Sequence, residues 1–160
     1  MKKAIVFDID GTLADNKHRL HFIQQEPKDW DGFFSAMSHD KPIEPIRMVC
    51  GSIMGLHAVV SGMGIKPTVN VIFCSERPHS YREETEMWLM AHILPPNVRP
   101  VLYMRKTGDH RPDDIVKEEL LAKMREDGYE PFLVFDDRNR VVDMWRRNGI
   151  QCCQVAPGDF

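Results

Sequence analysis

Phe7-Asp8-Ile9-Asp10-Gly11-Thr12 ends a short apolar run, Ala4-Ile5-Val6-Phe7, in two carboxylates, a glycine and a hydroxyl. A buried strand closed by polar residues at its carboxyl end is how an open parallel sheet delivers reactive groups to the crevice beyond its strands. Asp8 and Asp10 stand two apart, so an extended backbone would point them the same way. Gly11 allows an immediate turn that splays them around one small site. Paired acids also cap turns, and on these six residues alone that reading stays open.

The other apolar runs supply the frame. Residues 69–74, 101–104, 132–135 and 150–155 read as four more strands, separated by segments of helical period. Ile46, Val49, Ile53, Leu56, Val59 and Val60 recur at spacings of three and four, which predicts an amphipathic helix over residues 43–64. A second helix begins near Pro78, with Tyr81, Thr85, Trp88, Leu89 and His92 on one stripe. A third is capped by Asp113 and buries Val116, Leu120, Leu121 and Met124, and a fourth uses Val141, Val142 and Trp145. Five strands alternating with helices and no hairpin dipeptide predict an α/β fold, a doubly wound, Rossmann-like parallel sheet whose carboxyl ends share one edge. Leu13 to about Pro42 has no sustained period and is too long for an ordinary connection. It is expected to be a small cap, 13–42, inserted after the first strand into one domain, 1–160.

Composition narrows the class. At 160 residues, 42% hydrophobic and 28% charged, the chain is an ordinary globular one. No apolar stretch approaches the ~20 residues of a membrane span, and Met1-Lys2-Lys3 leads straight into a strand, so no membrane association and a cytoplasmic location are expected. Cys50, Cys74, Cys152 and Cys153 lack metal or disulfide spacing and are expected to be reduced and mostly buried. A net charge of −3 argues against broad attraction to nucleic acid. Arg77, Arg82, Arg99, Arg105, Lys106 and Arg111 form either a local basic patch or a solvated face. His18 and His21 have no third ligand nearby, which argues against a metal site between them.

Three strand ends send polar groups to the same edge: Asp8 and Asp10, then Ser75 and Arg77, then Asp136 and Asp137. The third helix adds Lys117, expected in its first turn and there either an idle surface charge or held for an anion. A carboxylate cluster with a hydroxyl and cations around one point suits phosphoryl transfer. A hard divalent cation, Mg²⁺, is matched to the oxygen ligands and would neutralise a phosphate dianion, letting one carboxylate attack phosphorus. Another carboxylate, kept protonated by acidic neighbours, would donate to the leaving oxygen.

Asp8-Ile9-Asp10-Gly11-Thr12, Ser75, Lys117 and Asp136-Asp137 resemble, in order and in the expected elements, the four motifs of the haloacid dehalogenase superfamily. That resemblance implies Asp8 as nucleophile, Asp10 as general acid, and Ser75 and Lys117 as phosphate holders. Mg²⁺ would lie between Asp8, the Asp10 carbonyl, Asp136 and Asp137. Residues 108–119, Asp136-Asp137-Arg138, residues 141–147 and the ending 154–160 are similar to the phosphatase domain of phage-type polynucleotide kinase/3′-phosphatase. Its substrate-binding residues would fall here on Thr12, Arg19, Arg77 and Asp113, Arg19 being matched by its distance from Asp8. The chain has no GxxxxGK[ST] kinase loop, and its cap region is long for that family. The resemblance implies removal of 3′-phosphates from nucleic acid ends, with a separate kinase or ligase as partner. The competing readings are a phosphatase of free nucleotides or other small phosphate esters and a catalytically silent interaction module. A dehalogenase would need neither Asp10 as acid nor a metal.

Overall fold

The computed structural model describes residues 1–158; Asp159 and Phe160, the end of the carboxyl-terminal match, lie outside the described residues. Strand β1 (Lys2–Phe7) leads into an insertion of short elements. These are β2 (Ala14–Asp15), a 3₁₀ turn at Lys17–Arg19, α1 (His21–Gln24), α2 (Trp30–Ser35), a second turn at Ala36–His39 and β3 (Lys41–Pro42). Antiparallel pairing of Ala14 with Pro42 and Asp15 with Lys41 closes the insertion at its base. The remainder alternates: α3 (Glu44–Gly62), β4 (Val69–Pro78), α4 (Arg82–His92), β5 (Leu102–Arg105), α5 (Asp113–Glu126), β6 (Tyr129–Asp136), α6 (Asn139–Arg147) and β7 (Gln151–Gln154).

The five long strands form a parallel sheet in the order β5-β4-β1-β6-β7, an α/β fold of the expected Rossmann-like kind. Alternation along β1 builds the two layers. Ile5 and Phe7 face the cluster containing Phe73, Trp88, Leu89 and Cys50, under α3 and α4. Ala4 and Val6 face Leu121, Met124, Val142 and Trp145, under α5 and α6. Because β4 and β6 flank β1 on opposite sides, chain order reverses at β1, and the crevice beyond its carboxyl end is the natural site in such a sheet.

Several local expectations are corrected. The predicted buried face of α3 is only partly buried: Val49, Leu56 and Val59 are exposed, while Ile46, Cys50, Ile53 and Met54 meet the sheet. The apolar band is wider than the surface the sheet offers it. Strand β4 runs on through Ser75-Glu76-Arg77 to Pro78, so the following helix starts at Arg82 after a 3₁₀ turn. Phe132 is exposed although it sits in an apolar run. The β1 register steps from Ala4 opposite Pro131 to Ile5 opposite Leu133, which leaves Phe132 as the extra residue of a bulge. Asp113 is the first residue of α5 and does not cap it; Pro112 holds the cap position. Cys50, Cys74 and Cys152 are buried free thiols, and Cys153 is exposed. No helix among the described residues is long and apolar enough to cross a membrane.

Candidate active site

The turn after β1 folds around one carbonyl. Ile9 O accepts from the amides of Thr12, Leu13 and Ala14, and Ile9 itself is buried. Gly11 takes φ +85°, a conformation that disfavours side chains, and a Cβ there would overlap the Asp137 carboxylate. This tight turn sends Asp8 and Asp10 into two different charge clusters.

Asp8 enters the first. Lys117 Nζ donates to Asp8 Oδ1 and to Asp136 Oδ2, each at 2.7 Å, and lies 3.0 Å from Glu76 Oε1. Trp145 Nε1, fully buried on α6, donates to Asp136 Oδ2 at 3.2 Å and fixes that carboxylate from behind. One oxygen each from Asp8, Asp136 and Asp137 fall within 4.8 Å of one another. Lys117 is thus no idle surface charge and stands past the first helical turn; it is 1% exposed among three carboxylates. Four acids against one ammonium leave three formal negative charges uncompensated. Burial, then Asp136, Glu76 and Asp137, push Asp8 well above the ordinary carboxylate range, and Lys117 opposes them only partly. Burial and Asp136 raise Asp137 to about 7. A site that must otherwise take up protons fits a hard dication held by oxygen ligands.

Asp10 enters the second cluster. Arg77 Nε donates to Asp10 Oδ2 at 2.9 Å and Nη2 to Oδ1 at 2.7 Å, and Arg19 Nη2 also donates to Oδ1. The same two arginines hold Asp40: Arg19 Nε and Nη2 donate to it at 2.8 and 2.7 Å, and Arg77 Nη2 at 3.0 Å. All three of these residues have fully buried side chains. The quartet is formally neutral. Burial would raise Asp10, but Arg77 and Arg19 outweigh it by charge and hydrogen bonds and hold the carboxyl well below the usual range. The expectation that acidic surroundings keep Asp10 protonated is therefore corrected. Its carboxylate also stands outside the three-acid cluster, so the part expected of Asp10 in metal binding is left to its carbonyl.

The remaining candidates are spread around these two clusters. Ser75, buried on β4, accepts from the Arg77 amide at 3.2 Å. Thr12 Oγ1 and Arg77 Nη1 are buried without a hydrogen-bond partner among the described residues, which marks two polar atoms able to receive a ligand. Asp113 does not join the acid cluster; Arg105 Nη2 and Arg138 Nη1 pair with its carboxylate at the rim of the cleft. His18 Nε2 meets Asp40 Oδ1 at 2.8 Å, and His21 Nδ1 meets the His18 carbonyl at 3.0 Å.

Sequence reasoning missed Asp40, Glu76 and Trp145 as parts of the site. Glu76 lay between two residues that were singled out, and only the placement of Lys117 reveals it. Asp40 lies in an aperiodic stretch, and its contacts with Arg19 and Arg77 span 21 and 37 residues. The basic residues of the second and third strand ends are framework more than open patch. Arg82 pairs with Glu86, Arg111 with Asp109 and Glu119, and Arg105 donates to the carbonyls of Glu76, Asp109 and Arg111.

The family model described as "Polynucleotide kinase PNKP phosphatase domain" matches residues 2–160. Two solved structures, of a Pnkp1/Rnl/Hen1 complex and of the Pnkp1/Rnl/Hen1 RNA repair complex, each match at 32% identity. They have TM-scores of 0.73 and 0.74, cover 100% of this chain, and are themselves covered to 48% and 44%. The chain thus spans about half the length of those relatives. The class C acid phosphatase from Bacillus anthracis with tungstate bound matches at 16% identity and a TM-score of 0.59, over 98% of this chain and 67% of its own, a likeness of fold. With the strand-end acids and the buried lysine in place, the chain belongs to the polynucleotide kinase PNKP phosphatase domain family, and is a phosphatase domain.

Proposed function

We propose that this chain is a Mg²⁺-dependent phosphomonoesterase that removes 3′-phosphates from nucleic acid ends through an aspartyl-phosphate on Asp8. The observation that carries the reading is the uncompensated negative charge around Asp8, Asp136 and Asp137, set against Lys117 at the end of the central strand. Those three aspartates would hold the cation, which supplies charge neutralisation that lets Asp8 ionise and the phosphate dianion approach.

Asp8 would then attack phosphorus in line, forming the O–P bond as the ester oxygen departs. Lys117, released in part from its carboxylates, would meet a phosphoryl oxygen, and the buried Thr12 hydroxyl and Arg77 Nη1 offer further donors. In the free protein Asp10 is a carboxylate between two arginines, ready to accept the proton of the water that hydrolyses the aspartyl-phosphate. To donate to the leaving oxygen in the first step it must arrive protonated, which requires a substrate phosphate that draws an arginine from it. Residues 13–42 act as a cap on a single domain, and Asp113 holds Arg105 and Arg138 at the mouth.

The 3′-end assignment rests on family membership and on the Pnkp1 relatives, one of which stands in an RNA repair complex. A reaction that leaves a 3′-hydroxyl prepares an end for joining, so a separate ligase or kinase is the partner this reading expects. Hydrolysis of a 3′-phosphorylated oligonucleotide, a 3′-mononucleotide and a 5′-mononucleotide under equal Mg²⁺ tests it. The oligonucleotide is expected to have the highest kcat/KM; a clear preference for the 5′-mononucleotide would replace the reading with that of a free-nucleotide phosphatase.

A further inference from the structure

A cleft of about 510 Å³ opens above Asp10, Arg77 and Asp137, and its two sides differ in character. The side formed by the insertion is aromatic. Trp30 stacks with Phe34 at 6.1 Å between centroids and 21° between planes, and Phe34 meets Tyr81, from the turn before α4, at 5.3 Å. Phe33 lies beneath this row, buried over the Arg19 guanidinium at 4.1 Å, and so does the structural work of anchoring α2. Trp30 is 46% exposed, whereas Trp88 and Trp145 are 3% and 0% exposed. A large aromatic left half in water is not explained by the core, and an apolar surface rimmed by polar residues marks a binding surface.

Loop 107–111 also lines the cleft, and its arginine is already paired with Asp109 and Glu119. With net charge −3 and these pairs in place, general attraction to phosphates is a weak source of affinity. Flat rings at the mouth of a phosphate site supply the other source: every base offers a π-face, and stacking on aromatic side chains is tolerant of sequence. Lys28 Nζ, 5.9 Å from the Trp30 ring, brings positive charge to the same rim. A base in the interior of a duplex has both faces covered, so a stacking row selects an unpaired end.

We infer that Trp30, Phe34 and Tyr81 form a stacking platform for the unpaired terminal bases of a single-stranded, 3′-phosphorylated nucleic acid. The inference rests on the 3′-end reading above and assigns the insertion the task of choosing unpaired ends.

Two measurements on the full chain test it. In the first, wild type, Trp30→Ala and Trp30→Phe hydrolyse a 3′-phosphorylated single strand, the same strand ending in an abasic 3′-phosphate, and glycerol 2-phosphate. Trp30→Ala is expected to raise KM on the base-bearing strand by about tenfold more than on glycerol 2-phosphate, with kcat little changed and Trp30→Phe largely restoring KM. Wild type is expected to treat the abasic end as poorly as Trp30→Ala treats the normal one. An equal loss on all three substrates, or no distinction between base and abasic ends, overturns the platform.

In the second measurement, binding of the phosphorylated single strand to Asp8→Asn protein is followed by tryptophan fluorescence, because the half-exposed Trp30 is the indole a ligand can reach. Quenching that disappears in Asp8→Asn/Trp30→Phe is the expected result and places the ligand on Trp30 without relying on turnover. Binding without quenching, or no binding, overturns it. Failure of the 3′-end reading is recognised separately, as a wild type that prefers 5′-mononucleotides.

Discussion

Lys117 Nζ donates to Asp8 Oδ1 at 2.7 Å across 109 residues of chain, tying the start of α5 to the end of the central strand. The contact unites what the proposed reaction needs: an attacking carboxylate and a charge that offsets its neighbours. Lys117→Ala is expected to lower kcat by roughly a hundredfold or more, since it removes a positive charge from a buried acidic site. Arginine is too large for a pocket where the lysine is 1% exposed, so Lys117→Arg should not rescue. Steady-state rates on an aryl phosphate, with circular dichroism to confirm folding, check this. Near-normal kcat in either variant would remove Lys117 from the site's working parts.

Asp40 carries the second prediction. Its carboxylate shares the Nη2 atoms of Arg19 and Arg77 with Asp10, and its carbonyl accepts from Trp88 Nε1 at 2.8 Å. Asp40→Ala leaves two buried guanidiniums sharing one acid and is expected to cost on the order of 3–5 kcal/mol in urea unfolding. Asp40→Asn keeps the shape and should fall between. A loss under 1 kcal/mol, roughly the value of an exposed pair, would mean that the quartet is dispensable.

Proton linkage gives the third. In the metal-free protein the raised positions of Asp8, Asp136 and Asp137 favour the fold at low pH, and that stability is lost as pH rises from the unfolded carboxyl value through the raised position of each group, about 7 for Asp137. Mg²⁺ should reverse the trend, so its effect on Tm should be small near pH 5 and large near pH 8. Asp10 works oppositely: its depressed position contributes stability above the ordinary carboxyl range and loses it as pH falls below. Melting curves with and without Mg²⁺ across this range decide the matter. A Mg²⁺ effect independent of pH would contradict the charge balance described for the site.

The divided roles of the first acid pair give the fourth. If Asp10 protonates the leaving oxygen, Asp10→Asn should lose more activity on alkyl phosphates than on aryl phosphates, whose leaving groups need no proton. If it serves only as the base of the second step, aspartyl-phosphate should accumulate and both losses should be equal. Single-turnover rates on the two ester classes separate these outcomes.

Strand positions and the strand-end acids were legible because a buried parallel strand needs a continuous apolar run, and the polar residue after Phe7, Cys74 or Phe135 is visible against it. What was not legible depended on long-range pairing. Asp113 looked like an N-cap by position, yet Arg105 and Arg138 claim its carboxylate. Asp10 looked like a crowded acid because Asp8 is two residues away, but the turn around Ile9 O sends it toward two arginines instead. Val49, Leu56 and Val59 kept a helical period without the buried face that period implies. In each case the tertiary partner is decided elsewhere in the chain, where the local signal does not reach.

The proposed reaction turns on attack of Asp8 at phosphorus, with Mg²⁺, on a 3′-phosphorylated end. Its most direct test is single-turnover release of phosphate from a 3′-phosphorylated oligonucleotide by wild-type and Asp8→Asn protein in Mg²⁺ and in excess EDTA. Release by the wild type in Mg²⁺ alone, with none from Asp8→Asn, is the predicted result. Release that survives EDTA, or that persists in Asp8→Asn, would contradict it.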